Sequence, residues 1–463
     1  MKDERQLTLF DFTIIMVSLV IGMGIFRTPV NVAQSVQNPL TFYAAWLVGG
    51  LIALCGSLTY AEIGSRMPVT GGYYKVMAYA YHPSIAFAIN CIILVTNASA
   101  LCAVALVGSE YISGFFLPQS HDKSWLAIPE HARYMQTFRI IIAILSILVF
   151  YAINLMGLKL SARAQNILTL IKITLILLLV SPIFFVDATP AQSIAAEIQQ
   201  HPTLLEFLKS FGTALIAISF TYGGYQHTIN FGAEVMKPRK NIPRGIFLGL
   251  GTIILLYLLI NFAYISVIGF DNLKSASNIA ALMAAHVFGP YAEKTMSVLL
   301  FLSVLAFVNI QLMTNPRIME AMSQDKILPA SFNRRNPKTE VLTMSLTLFT
   351  ILCVLIIFWA KEFNTLLNFT IFLDCFGMAF SAGSIFIIRK KSANTAEGEI
   401  YKMKLYPLLP IIFILAYTGV CISIFVTSPK VSLIGVGVLA AFIILYFLTR
   451  KVNLANNVNK NNH

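Results

Sequence analysis

The chain has 463 residues, 57% hydrophobic and 11% charged, with a mean hydropathy of +0.76. No water-soluble core buries that much apolar surface, so the composition identifies an integral membrane protein. The net charge of +13 does not indicate a nucleic-acid partner: the basic residues lie in short loops between apolar segments, with no basic helix and no aromatic-interleaved patch.

Taken in order, the sequence shows twelve apolar segments, at about 9–34, 39–64, 84–117, 137–156, 161–186, 211–235, 244–269, 290–322, 341–360, 363–390, 405–427 and 430–450. A helix needs roughly 20 residues to cross a bilayer, and the longer segments imply tilt. The first segment does not read as a cleavable signal peptide, because it runs too far, lacks a small-residue cleavage site and leads into further spans. It is interrupted by Val20-Ile21-Gly22-Met23-Gly24-Ile25-Phe26. A spanning helix that breaks has to re-satisfy its freed N–H and C=O groups on protein, water or ligand. Two half-helices meeting at a break bring opposite partial charges to one spot, an arrangement that suits a zwitterion such as an amino acid. Close packing of neighbouring helices is the competing reading of the same glycines.

Three connections stand out. Arg66-Met67-Pro68-Val69-Thr70-Gly71-Gly72-Tyr73-Tyr74 leads into a short amphipathic helix on the inner side. The loop around 187–210 is polar with a short helix, and 275–288 forms another, capped by Ser275 or Ser277 and closed by Gly289-Pro290. The Asn-rich tail after Lys451 is expected to be disordered. With the N-terminus in the cytoplasm, 23 of the 33 Lys and Arg fall on the cytoplasmic side, nine fall outside, and Lys172 alone lies deep in a span. Both termini of a cell-membrane protein are therefore expected in the cytoplasm. The six cysteines sit in apolar spans without CxxC spacing and read as small buried hydrophobes, neither disulfides nor metal ligands.

The sixth segment carries a second interruption, Phe220-Thr221-Tyr222-Gly223-Gly224-Tyr225-Gln226-His227, with polar residues and a glycine pair in mid-span. If segments one to five and six to ten form two halves, an odd number of spans makes the halves inverted and the two breaks equivalent. A pair of glycine-interrupted spans in corresponding halves is a sequence pointer to a transporter's binding site.

These motifs resemble the amino acid–polyamine–organocation superfamily. Gly22-Met23-Gly24-Ile25-Phe26 looks like its first-span break, and Tyr60-Ala61-Glu62-Ile63-Gly64 with Gly71-Gly72-Tyr73-Tyr74 resembles its second span and inner loop. Phe220 to Tyr225 with Glu234, Pro238 and Asn241-Ile242-Pro243-Arg244 is similar to its sixth-span signature, and Arg317 through Leu328-Pro329 to the end of its eighth span. The likeness covers roughly residues 8–390 and is strongest to the L-amino-acid transporter branch and its bacterial relatives. It implies an all-α fold of twelve transmembrane helices. Residues 1–390 would be a LeuT-type core with inverted repeats at about 9–186 and 211–390, and 391–463 two accessory helices and a short cytoplasmic tail.

The resemblance also implies alternating-access amino acid transport. Backbone N–H groups around Met23, Gly24 and Ile25 would hold the substrate carboxylate, carbonyls near Val20, Phe220 and Gly223 the ammonium, and Gly22 lies within the same implied site. Tyr222, Gly224 and Tyr225 complete the implied site. The family often has Ser where Met23 stands and Trp where Tyr225 stands, which leaves the substrate's size open. No Cys lies in the loop 118–136, so no disulfide-linked partner chain is expected, and no cofactor or metal is implied.

Lys172 is too deep for easy snorkelling, so it is expected to be paired or functional; the competing reading is a structural lysine whose stem lies along a groove with its amine on a carbonyl. In the family pattern it lies against the first-span break, where its ammonium replaces a sodium ion and, if it sheds its proton, couples proton movement. Asp374 either binds protons, selects cationic substrates, or hydrogen-bonds near Asn368. Glu62 and Glu234 are expected to anchor gates by pairing with Arg or Lys. Asn97, Ser99, Asn309, Gln311, Thr314 and Asn315 read mainly as interhelical hydrogen-bonding groups, and His227 as a hydrogen-bonded core residue. An intramembrane enzyme is disfavoured, since no HExxH and no metal-spaced His or Cys is present. The expected function is sodium-independent carriage of neutral L-amino acids by exchange or proton symport, in contact with membrane lipid. The alternatives are a cationic amino acid or polyamine carrier and a non-transporting amino acid sensor.

Overall fold

The computed structural model describes residues 7–68, 72–116, 128–184, 203–230, 235–276, 278–359, 363–391 and 400–461. Among the described residues sixteen α-helices follow one another: α1 (Leu9–Val20), α2 (Gly24–Ser35), α3 (Pro39–Arg66), α4 (Gly72–Ala80), α5 (Pro83–Phe116), α6 (Pro129–Leu155), α7 (Leu158–Val180), α8 (Leu204–Tyr222), α9 (Pro238–Ile268), α10 (Phe270–Ser275), α11 (Ile279–Phe288), α12 (Pro290–Gln324), α13 (Thr343–Trp359), α14 (Phe363–Lys391), α15 (Leu408–Thr427) and α16 (Pro429–Asn461). Local chemistry writes several of the boundaries. Proline opens α3, α6, α9 and α12, where its missing N–H costs nothing. Thr8 with Asp11, and Thr203 with Glu206, close reciprocal caps on α1 and α8. The only extended pairing among the described residues is an isolated bridge, Leu7 to Val235, tying the N-terminus to the approach to α9.

Among the described residues nine helices are long and apolar enough to cross a bilayer, and α1 with α2, bent by 46° at their break, make a tenth. The other two expected spans fall short as single helices. The α13 helix has 17 residues, about 26 Å at 1.5 Å per residue, against a hydrocarbon core of about 30 Å. The α8 helix stops at Tyr222 after 19 residues. The α5 helix is buried along most of its length and α16 hardly at all. Large apolar side chains such as Leu170, Leu255, Leu355 and Leu415 are exposed on the outside of the bundle, as lipid contact requires.

Two expectations about the connections change. The helix before Gly289 is capped by Asn278, whose side chain accepts the Ala281 N–H at 3.1 Å, while Ser275 ends the separate helix α10. Ser277 and most of the loop 187–210 lie outside the described residues. The α16 helix continues through the Asn-rich tail to Asn461, where composition predicts disorder; the good helix formers Leu454, Ala455 and Lys460 offset the asparagines.

At the end of the bundle that holds Leu7, Glu62 is fully buried. Its carboxylate accepts hydrogen bonds from Arg66 Nε (2.8 Å), Arg389 Nε (2.7 Å) and Nη2 (2.6 Å), and the Met403 N–H (2.9 Å). Glu62 thus pairs with arginine as expected, and joins α3, α14 and the segment leading to α15. Glu234 lies outside the described residues.

Candidate functional site: two crossed helix breaks

The first break begins where Ile21 leaves helical geometry at ψ 88°, its N–H still reaching Val17 O at 2.9 Å. Gly22 N–H turns back onto Val20 O at 2.7 Å, and α2 restarts at Gly24 with no side-chain cap. A helix start without a cap leaves first-turn amides open to a ligand. The second break follows Tyr222. Gly223 N–H closes onto Phe220 O at 3.3 Å, Gly224 takes φ +116°, and a 3₁₀ turn, Tyr225–Asn230, continues the chain. Beyond the second break the chain is thus a tighter turn, with residues 231–234 outside the described set.

The two breaks lie directly against each other. A Cβ on Gly24 would sit 2.8 Å from Thr221 Cα, and one on Gly224 would fall on the carbonyl of Leu19, 2.9 Å from its carbon. Only glycine allows that approach of backbone to backbone. Thr28 and Thr221 share a hydroxyl–hydroxyl hydrogen bond across the crossing. The Tyr257 hydroxyl, from α9, lies 3.3 Å from Val20 O and 3.1 Å from Thr221 O, so one phenol serves carbonyls of both breaks.

Lys172, buried on α7, donates from Nζ to Ile21 O at 2.6 Å. The ammonium therefore sits at the C-terminal, partially negative end of α1, where helix carbonyls lack intrahelical partners. The expected position against the first break is the observed one.

The remaining residues singled out by sequence divide. Val20, Met23, Gly24 and Ile25 are buried at the crossing, while Gly22, Phe220, Gly223 and Gly224 are half-buried. The Phe307 ring lies 3.6 Å from where a Gly22 Cβ would be. Tyr222 packs its ring against Tyr257 (5.1 Å between centroids) and Trp46 (6.0 Å), and Tyr225 packs against Tyr60 (6.0 Å). The two tyrosines thus join separate aromatic clusters on either side of the glycine pair.

Asp374 is half-buried on α14. It makes no hydrogen bond or ion pair among the described residues. Asn368 is not its partner, donating instead to Ser428 Oγ at 3.0 Å. Asn97 donates to Asn315 Oδ1 at 2.6 Å, which links α5 to α12 and not to either break. Asn309 is held by Asn154, Ser161 and Gln165, as the interhelical reading expects, whereas Ser99 and Thr314 bond carbonyls of their own helices. His227 N–H bonds Gly224 O at 3.1 Å.

Sequence reasoning missed Tyr257 and Thr28. Each is a polar group in an apolar helix that has to find an acceptor, but the chain has 18 tyrosines and nothing local marks this one.

The chain matches the amino acid permease family over residues 7–449. It is 26% identical over 422 residues to the serine/threonine exchanger SteT of Bacillus subtilis (strain 168), covering 89% of each chain. It is 24% identical over 455 residues to the large neutral amino acids transporter small subunit 2 of Mus musculus, covering 96% of this chain and 81% of the relative. The human cystine/glutamate transporter is 25% identical over 394 residues, 84% of this chain and 74% of the relative. With two apposed helix breaks inside a multi-pass helical bundle, the chain belongs to the amino acid permease family of the amino acid–polyamine–organocation superfamily, on its L-amino-acid-transporter-like, bacterial-type branch, and is an amino acid transporter, not an enzyme.

Proposed function

We propose that this chain carries neutral L-amino acids across the cell membrane by alternating access, through exchange or proton symport and without sodium. The observation that carries the reading is the crossing of the two breaks, Gly24 on Thr221 and Gly224 on Leu19, with Lys172 Nζ on Ile21 O beside it. In this reading the uncapped amides around Met23, Gly24 and Ile25 receive the substrate carboxylate, and the carbonyls near Val20, Phe220 and Gly223 receive its ammonium. Gly223 and Gly224 keep one wall free of side chains, Met23 and Tyr225 bound the space, and Tyr222 backs it. Those limits favour small or apolar substrates. Lys172 stands in for a sodium ion by holding the carbonyl end of α1 with a fixed positive charge. The serine/threonine exchanger among the relatives supports exchange of small neutral substrates. We place both termini in the cytoplasm and assign twelve spans, counting α13 and the broken sixth. Spans one to five and six to ten are the inverted LeuT-type repeats, at about 9–186 and 211–390, and α15 and α16 are accessory.

A substrate panel tests this. Liposomes holding purified protein and loaded with unlabelled alanine should take up radiolabelled alanine and serine, while arginine and polyamines neither enter nor compete. Preferential arginine uptake that disappears in Asp374→Asn would replace this reading with a cationic carrier. The half-buried Asp374, with no hydrogen bond or ion pair among the described residues, is the observation favouring that second reading.

A further inference from the structure

We propose that the cavity beside the first turns of α9 binds an anionic phospholipid, holding its phosphate headgroup on a ring of cations and its acyl chains on the apolar flank of the same helix. The cavity, about 1350 Å³, lies between the start of α9 and segment 400–405, which leads into α15, apart from the crossed breaks. Lys237, Arg239, Lys240, Arg244, Lys402 and Lys404 line it, and no carboxylate does among the described residues. Lys237, Lys240, Arg244 and Lys404 together give this space a positive potential that attracts an anion.

The rest of the lining is apolar. Phe247 and Leu248 continue along α9, opposite Leu405 and Leu409, and Phe247, Leu248 and Leu405 are exposed on the outer face of the bundle. From Lys237 to Leu248 the helix rises about 16 Å, enough to pass from a headgroup layer into hydrocarbon. A free phosphate or nucleotide makes no use of that apolar end, whereas a phospholipid uses both. The site also lies at the end of the bundle that the Lys and Arg distribution assigns to the cytoplasm, where anionic lipid attracts basic segments. The inference rests on that orientation.

The walls are tied to the buried carboxylate at this end of the bundle. Met403 N–H donates to Glu62 (2.9 Å), Tyr401 N–H to Ser65 Oγ (2.9 Å), and Ser65 Oγ to Arg239 O (3.1 Å). A lipid bridging α9 and segment 400–405 therefore braces the same residues that join α3 to α14.

The test uses the full-length protein, delipidated in neutral detergent and titrated with phosphatidylglycerol or phosphatidylcholine, with bound lipid counted by native mass spectrometry. Wild type should retain phosphatidylglycerol in preference to phosphatidylcholine. Arg244→Gln with Lys404→Gln, both exposed, should weaken that retention about 30-fold, roughly fivefold per charge removed. Arg334→Gln with Lys338→Gln, exposed cations elsewhere on the same side, should leave it unchanged. Phe247→Asn should also weaken retention without touching a charge. Equal retention of the two lipids, wild-type binding by the Arg244/Lys404 variant, or displacement of the lipid by glycerol phosphate at equal concentration would overturn the proposal, the last by making this a soluble-phosphate site. No transport enters the readout, so this failure is separable from failure of the proposed transport function.

Discussion

Replacing Gly224 by alanine tests the crossing of the breaks through a single methyl group. Gly224 has φ +116°, a conformation that costs an L-residue about 1–3 kcal/mol. The new Cβ would fall on the Leu19 carbonyl, 2.9 Å from its carbon and 3.3 Å from Val20 N. These are backbone atoms at the end of α1, so no side-chain rotation relieves the clash, and overpacking adds about 1–3 kcal/mol. The combined cost is about 2–6 kcal/mol, and the relief available is a shift of α1 away from α8. Two neighbouring glycines calibrate the measurement. Gly223 has φ −62°, and its Cβ would sit 3.3 Å from Ser219 O, tight but accommodated. Gly251, exposed on α9, has nothing within 4 Å of its Cβ, so alanine there should stabilise by up to about 1 kcal/mol. Melting in detergent should rank Gly251→Ala above Gly223→Ala and that above Gly224→Ala, with alanine uptake into liposomes lost only in Gly224→Ala. A Gly224→Ala protein that melts and transports like Gly251→Ala would refute the close approach of the two breaks.

Other consequences follow from the same geometry. Lys172→Met removes the ammonium from Ile21 O, a charge-assisted bond worth about 1.5–3 kcal/mol; if it steadies the site, amino acid affinity falls about ten- to hundredfold in a scintillation proximity assay, and unchanged affinity would make the lysine a packing element only. Tyr257→Phe leaves Val20 O and Thr221 O without their shared donor and should lower stability by about 1–3 kcal/mol, read as a depressed melting temperature; an unshifted melt would show that the phenol bridges nothing of consequence. Glu62→Gln removes the buried negative charge that Arg66 and Arg389 share and should cost about 3–5 kcal/mol, part of it recovered when Arg389→Met is added, a pattern double-mutant melting curves would resolve.

The sequence carried much of this arrangement because membranes tolerate few exceptions. A glycine pair or a charge in mid-span has to be explained, so Gly22, Gly24, Gly223, Gly224 and Lys172 all stand out in the sequence. Their mutual placement was less legible: that Gly224 meets Leu19 and Gly24 meets Thr221 follows from helix rotation, which apolar periodicity leaves open when every face is apolar. Tyr257 was invisible for the same reason. Where sequence reasoning failed locally, competing groups decided. Asn278 outcompeted Ser275 because the two short helices divide at Ala276, which places the asparagine at the N-cap. The basic cavity was unforeseen because its two walls, 237–248 and 400–409, lie far apart in the chain and are joined by Ser65, which accepts from Tyr401 N–H and donates to Arg239 O.

The most direct test of the central claim is uptake of radiolabelled alanine into sodium-free liposomes, with or without unlabelled alanine inside and with or without an imposed pH gradient, for wild type and Gly224→Ala. Wild type should accumulate label in at least one driven arm without sodium, and the variant in none. Uptake that needs sodium, or a variant that transports as wild type does, would contradict the assignment of the crossed breaks as the site of a sodium-independent amino acid carrier.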